Sequence, residues 1–204
     1  MRVLILVDIQ NDFLPGGALA VPRGDEVIEP ANRIQSSFDR VVATQDWHPR
    51  AHGSFASQHP GRKPGEVVEL YGLQQVLWPE HCVQETQGAA LAGGLTTTAI
   101  ARVFRKGMDP RVDSYSGFFD NGGKNDSGLA AWLREQGARE VVVCGLALDY
   151  CVKFTALDAA RLGFRTRLLG DACRAVELSP GDGRRAIEEM QSAGVELVGV
   201  SELL

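Results

Sequence analysis

The chain has no run of like charge, no CxxC pair, no internal repeat, and no apolar segment near the length of a membrane span. Each absence excludes something. Without a basic stripe, and with a formal net charge of -5, the sequence is a poor match for a nucleic-acid binder, so a small molecule is the expected partner. The four cysteines, Cys82, Cys144, Cys151 and Cys173, need no disulfide, because 204 residues suffice to stabilise a core without one. The apolar run Val3 to Val7 is too short for a signal-peptide core, and Asp8 interrupts it at once. A reducing cytoplasm is therefore the expected setting, with no membrane partner, and a reactive thiol survives there. With no low-complexity segment or linker, one domain is expected over residues 1–204. A homo-oligomer is left open.

What is present is ordinary globular composition, 44% hydrophobic and 23% charged. Val3 to Val7, Val41 to Thr44 and Val141 to Cys144 are continuous apolar runs, the signature of strands buried on both faces. Ile100 to Phe104, Thr166 to Leu169 and Val195 to Val198 are weaker strand signals. Leu129, Trp132, Leu133 and Gln136 follow helical spacing and stop at Gly137. Asp149 suits the cap of a helix running to Gly163. Ser179 suits a cap with Pro180 at the first helical position. A helix over Val27 to Phe38 is interrupted by Pro30. Alternating strands and helices imply a three-layer αβα fold with a mainly parallel sheet of about six strands, the first of them central. In such sheets ligands bind beyond the C-terminal strand ends. Asp8, Asp46, His48, Lys106 and the turn Asp149 to Cys151 all map there. Arg50 to Gly94, rich in Gly, Pro and His, reads as a long functional loop.

Asp46-Trp47-His48 places a carboxylate and an imidazole on one face if the strand continues, since side chains alternate. Mixed oxygen and nitrogen ligands suit a divalent metal, and His81 is the best third ligand. His52 and His59 are rivals, and Ser54 offers a water-mediated contact. A lone DxH is more often a surface accident. Cys151 falls just inside a predicted helix, where the helix dipole and free N–H groups favour a thiolate. Those N–H groups, with that of Leu148, suit an oxyanion hole. Asp8 is the proton acceptor and Lys106 the neighbouring cation. Taken singly, a cysteine at a helix start is usually packing and a lysine usually solvated; convergence on one sheet edge raises the odds. Cys144 reads as a small buried hydrophobe, Cys82 as packing or an alternative ligand, and Cys173 carries no signal.

Six segments in order resemble the nicotinamidase branch of the isochorismatase-like cysteine hydrolases. They are Val7 to Phe13, Thr44 to Pro49, Leu77 to Val83, Phe104 to Gly107, Asp113 to Phe118 and Gly145 to Val152. The resemblance implies an isochorismatase-like hydrolase fold and hydrolysis of nicotinamide to nicotinic acid and ammonia through a cysteine thioester, in NAD salvage, with pyrazinamide as a further substrate. It implies a triad of Asp8, Lys106 and Cys151, metal ligands at Asp46, His48 and His81, and an aromatic pocket with Phe13, Trp78 and Tyr115. The metal is one divalent ion, zinc first, with manganese or iron as alternatives. An oxyanion hole at Leu148 and Cys151 would follow a cis peptide mapped to Ala147–Leu148. The chain departs from the pattern at Leu148, where threonine is common, and a fourth metal ligand has no match. Three alternatives stand beside this reading: a cysteine amidohydrolase of the same superfamily acting on ureido or carbamoyl groups, a metallohydrolase with a structural Cys151, and a non-catalytic nicotinamide-binding protein.

Overall fold

A computed structural model describes residues 1–204. Strands β1 (Arg2–Val7), β2 (Arg40–Asp46), β5 (Ile100–Lys106), β6 (Glu140–Leu146), β7 (Arg165–Arg174) and β8 (Glu196–Val198) form one sheet. Its order is β5-β2-β1-β6-β7-β8, and every neighbouring pair is parallel. Helices α1 (Ile28–Ile34), α2 (Leu129–Glu135), α3 (Lys153–Arg161) and α4 (Asp182–Ser192) flank it. The expected fold class is the one observed. The unbroken apolar run Val3 to Val7 lies inside the sheet between β2 and β6, fully buried. Both its faces are covered, which is why it does not alternate with polar residues. Gly145 lies opposite Val7 in the β1–β6 ladder: its φ is 125°, and any Cβ there would overlap the Val7 carbonyl oxygen.

Several local expectations need correction. Asp149 does not cap a helix. Its carboxylate accepts the N–H groups of Val176 and Glu177 at 2.9 Å each, holding the segment after β7. The chain enters α3 through a π-helical turn, Leu148–Val152, which carries Cys151. The cis peptide joins Leu146 to Ala147, one residue before the expected place. Helix α4 starts at Asp182 rather than after Ser179. Glu177 reaches over to accept the N–H groups of Gly181 and Gly183, so the proline precedes the helix instead of opening it. Pro30 is tolerated in the first turn of α1, where the N–H groups lack intrahelical partners anyway. Residues 50–94 are not only loop. An antiparallel hairpin, β3 (Val67–Leu70) with β4 (Leu73–Val76), stands inside them. All four cysteines are free and buried. No helix is long and apolar enough to cross a membrane.

Candidate active site

Parallel strands deliver their C-terminal ends to one edge, and the sheet order sets which ends meet. β2 and β5 end in Asp46 and Lys106, which pair directly, and Asp8 follows the last residue of β1. The Lys106 ammonium lies 2.7 Å from Asp46 Oδ1 and 2.9 Å from Asp8 Oδ2. It also donates to the Ser114 carbonyl at 2.8 Å and faces Cys151 Sγ at 3.4 Å. Thr44, two residues before the end of β2, donates its hydroxyl to Asp8 Oδ1 at 2.6 Å. The Gln10 amide accepts the Asp46 N–H and donates to the Asp46 carbonyl, fixing that strand end.

All of these groups are buried, so their charges act at low dielectric. Burial alone would lower Lys106, but Asp46 and Asp8 outweigh it and hold the ammonium well above the usual lysine range. Burial would raise Asp46, yet Lys106 and then His48 draw it well below the carboxylate range. Asp8 goes the other way: burial lifts it, against Lys106 beside it. Burial likewise pushes the Cys151 thiol far up, with Lys106 opposing and Asp8 and Asp46 reinforcing the rise. Lys106, the group that opposes this rise, is shared between Asp8 and Asp46.

The second cluster starts at Asp46, the last residue of β2, and takes in His48 two residues beyond it. Trp47 N–H still donates to the Lys106 carbonyl, so the extended register continues and His48 turns to the same side as Asp46. His48 Nε2 is 3.5 Å from Asp46 Oδ2 and His81 Nε2 is 3.7 Å from the same oxygen. Each ring uses Nδ1 on a backbone carbonyl, that of Gly107 for His48 and of Pro79 for His81. A carbonyl accepts only, so Nδ1 carries the proton and Nε2 presents a bare lone pair. His48 Nε2 is buried with no hydrogen-bond partner. Two lone pairs and a carboxylate oxygen aimed at one point, with ligating atoms within 4.8 Å of one another, are a set that could hold a metal ion. His52 does not join it. Its Nδ1 pairs with Ser54 Oγ at 2.7 Å, it groups with His48 and Asp113, and burial, then His48, lowers it to about 4. His59 turns to the Gly53 carbonyl. Cys82 has its thiol pushed up by burial and lies outside the three-residue set, in line with packing.

Between the clusters lies a narrow cleft lined by Phe13, Trp78, Tyr115 and Tyr150, with Asp46, His81 and Cys151 on its floor. A larger groove opens past Met108 and Arg111; it reaches Lys106 but neither Cys151 nor the histidines. The structure therefore gathers Asp8, Lys106, Cys151, Asp46, His48, His81, Phe13, Trp78 and Tyr115 at one sheet edge. Asp113, Tyr150 and Val176 also line the cleft. Asp113 and Tyr150 fall inside the Asp113 to Phe118 and Gly145 to Val152 segments, though the sequence gives neither a role of its own. Val176 follows the observed end of β7 at Arg174, five residues past the end of the Thr166 to Leu169 strand signal.

A family model described as "Isochorismatase domain" matches residues 2–202. The nicotinamidase of Escherichia coli (strain K12) is 51% identical over 205 residues, which is 98% of this chain and 96% of the relative. A solved nicotinamidase/pyrazinamidase from Acinetobacter baumannii superposes with a TM-score of 0.96 at 42% identity, covering 100% of this chain and 98% of that one. Yeast nicotinamidase bound to the inhibitor nicotinaldehyde superposes at 0.91 with 33% identity, covering 98% and 100%. The pyrazinamidase of Pyrococcus horikoshii in complex with zinc superposes at 0.78 with 40% identity, covering 97% and 98%.

Proposed function

The chain belongs to the isochorismatase family, and from that premise we propose that it is a nicotinamidase, hydrolysing nicotinamide to nicotinic acid and ammonia in NAD salvage, with pyrazinamide as a second substrate. The observation that carries this is geometric. A thiol, a lysine and an aspartate meet within hydrogen-bonding reach on the floor of an aromatic cleft, beside a histidine–carboxylate metal set. The cleft walls are aromatic, and among similar solved structures one holds nicotinaldehyde and another zinc. One domain over residues 1–204 in a reducing cytoplasm completes the reading; the six-stranded sheet and four free thiols support it.

Asp46, His48 and His81 would hold one divalent ion, zinc first. Bound there, it supplies a Lewis-acid anchor for the ring nitrogen. Phe13, Trp78 and Tyr115 confine the ring and bring the carboxamide carbon over Cys151. Asp8 takes the thiol proton as sulfur attacks, so no resting thiolate is required. The backbone N–H groups of Leu148 and Cys151 receive the oxyanion. Asp8 returns the proton to the leaving ammonia, and a thioester remains on Cys151. Asp8 then draws a proton from the water that attacks the thioester and returns it to the departing Cys151 sulfur, releasing nicotinic acid and restoring the thiol.

A coupled ammonia assay with purified protein tests this. Equimolar ammonia and nicotinic acid are expected, lost on chelation and restored by zinc. A folded protein that leaves nicotinamide intact in the presence of zinc overturns the reading.

The ligand geometry yields a second expected result. Gly107 has a φ of 67°, and any Cβ on it would overlap the His48 ring, whose Nδ1 its carbonyl orients. Gly107→Ala is expected to weaken zinc binding by about 10–100-fold, the usual effect of disturbing the partner of a ligating histidine. Competition with a chromophoric chelator measures it. Unchanged affinity would mean that His48 is not held to the metal by this carbonyl.

A further inference from the structure

Beneath the cleft floor, one buried hydroxyl contacts the catalytic aspartate and has no part in the mechanism above. Asp8 follows β1 in a left-handed backbone conformation, φ 47°, which a residue other than glycine keeps only where its surroundings hold it. The holder is Thr44, fully buried on β2. Asp8 N–H donates to Thr44 Oγ1 at 3.2 Å, and Thr44 Oγ1 donates to Asp8 Oδ1 at 2.6 Å. An N–H only donates and an ionised carboxylate only accepts, so both directions are fixed and the single hydroxyl proton is committed to Oδ1. Oδ2 is buried without a hydrogen-bond partner, 2.9 Å from the Lys106 ammonium, which faces Cys151 Sγ at 3.4 Å. One oxygen of the carboxylate is anchored and the other is left on the side of the thiol.

Thr44 can do this only in one rotamer. Its Cβ carries both hydroxyl and methyl, so placing the methyl places the hydroxyl. The methyl lies against Gly117. A Cβ on Gly117 would stand 2.6 Å from Thr44 Cγ2, whereas the next atoms it would meet, Thr155 Oγ1 and Leu129 Cδ2, are at 3.5 and 3.6 Å. Gly117 is itself tied down, because its N–H donates to Thr155 Oγ1 at 2.9 Å, on α3 just after the turn that carries Cys151. Contacts through Thr44 and Gly117 thus connect the base to the helix that follows the nucleophile.

We propose that Thr44 is a positioning residue for the reaction: it anchors Asp8 Oδ1 so that Oδ2 takes and returns the thiol proton, and Gly117 lacks a side chain so that the Thr44 methyl can sit where this requires. The proposal rests on the nicotinamidase reading, in which Asp8 moves that proton. Without the anchor the carboxylate can turn. A misplaced base slows the chemical step but leaves the ring bound, since the ring's contacts lie elsewhere.

Steady-state kinetics of the zinc-loaded variants with nicotinamide test this. Thr44→Val keeps the shape and removes the hydroxyl. It should lower kcat by about 10- to 100-fold, the value of one hydrogen bond to a charged group. KM should stay within about threefold of wild type, with zinc stoichiometry unchanged. Thr44→Ser keeps the hydroxyl and should retain most of kcat. Gly117→Ala should lower kcat by driving the Thr44 methyl aside. Adding Thr44→Ser should restore most of that loss, because the methyl it removes is the one atom closer than 3.5 Å to the new Cβ. This pair carries the test if Thr44→Val fails to fold. The proposal is overturned by a Thr44→Val kcat within about threefold of wild type, or by a loss that comes with lost zinc. It is equally overturned by a Gly117→Ala protein with unchanged kcat, or with a defect that Thr44→Ser does not relieve. Wild-type protein that releases no ammonia overturns the functional reading and this inference with it, whereas an active wild type with any of those variant results overturns this inference alone.

Discussion

Cys151→Ala is expected to abolish ammonia release from nicotinamide while leaving the ring bound with a Kd within a few-fold of wild type. The sulfur is the only group on the cleft floor able to form the thioester, so turnover should fall by about 10⁴-fold or more, as for loss of nucleophiles elsewhere. Binding draws on different atoms: the aromatic walls at Phe13, Trp78 and Tyr115, and the metal set at Asp46, His48 and His81. Cys151 is nearly enclosed, so removing one sulfur leaves a small gap and no exposed charge. Steady-state assay and calorimetric titration of the variant give the two numbers. Turnover within tenfold of wild type would support a metallohydrolase in which Cys151 only packs, because the Asp46–His48–His81 set survives the change. Lost binding with lost turnover would mean that the thiol shapes the cleft as well as reacting in it.

The sheet was legible because its physics is local. Val3 to Val7, Val41 to Thr44 and Val141 to Cys144 are apolar without interruption, and only strands covered on both faces need that. Their C-terminal ends then had to share one edge, which brought Asp8, Asp46 and the turn carrying Cys151 together before any contact was known, and the weaker Ile100 to Phe104 signal added Lys106. What escaped was decided by distant groups. Asp149 has the composition of a helix cap, but two N–H groups of the segment after β7, nearly thirty residues on, compete for its carboxylate and win. Gln75 and Asp113 lie on separate segments and mean nothing apart; only the folded hairpin sets one amide against one carboxylate and one phenol. The surroundings of Cys151 escaped for a related reason. A helix start and a nearby lysine favour a thiolate, but Asp8 and Asp46 share that lysine, and sequence spacing does not count them.

That sharing makes Lys106→Met the substitution with the largest expected effect on stability and a severe one on chemistry. The ammonium is buried between Asp8 and Asp46, with Ser114 and Cys151 completing its surroundings. Methionine keeps much of the volume but leaves two buried carboxylates facing each other without a cation. Stranding part of a buried ion network costs about 3–5 kcal/mol, which urea unfolding would read as a lowered midpoint. Asp8→Asn added to Lys106→Met should recover part of that loss, because it removes one of the stranded charges. The catalytic share must be read separately, since a purely structural lysine would destabilise the protein just as much. Burial pushes the Cys151 thiol up and Lys106 is the main group opposing it, so the variant should ionise its thiol at still higher pH. Each further unit of thiol pKa costs about tenfold in thiolate. Iodoacetamide alkylation, followed against pH below the unfolding midpoint, should slow accordingly relative to wild type. An alkylation profile that does not move while stability falls would confine Lys106 to holding Asp8 and Asp46 in place, and proton transfer between Cys151 and Asp8 would then have to proceed without help from the lysine charge.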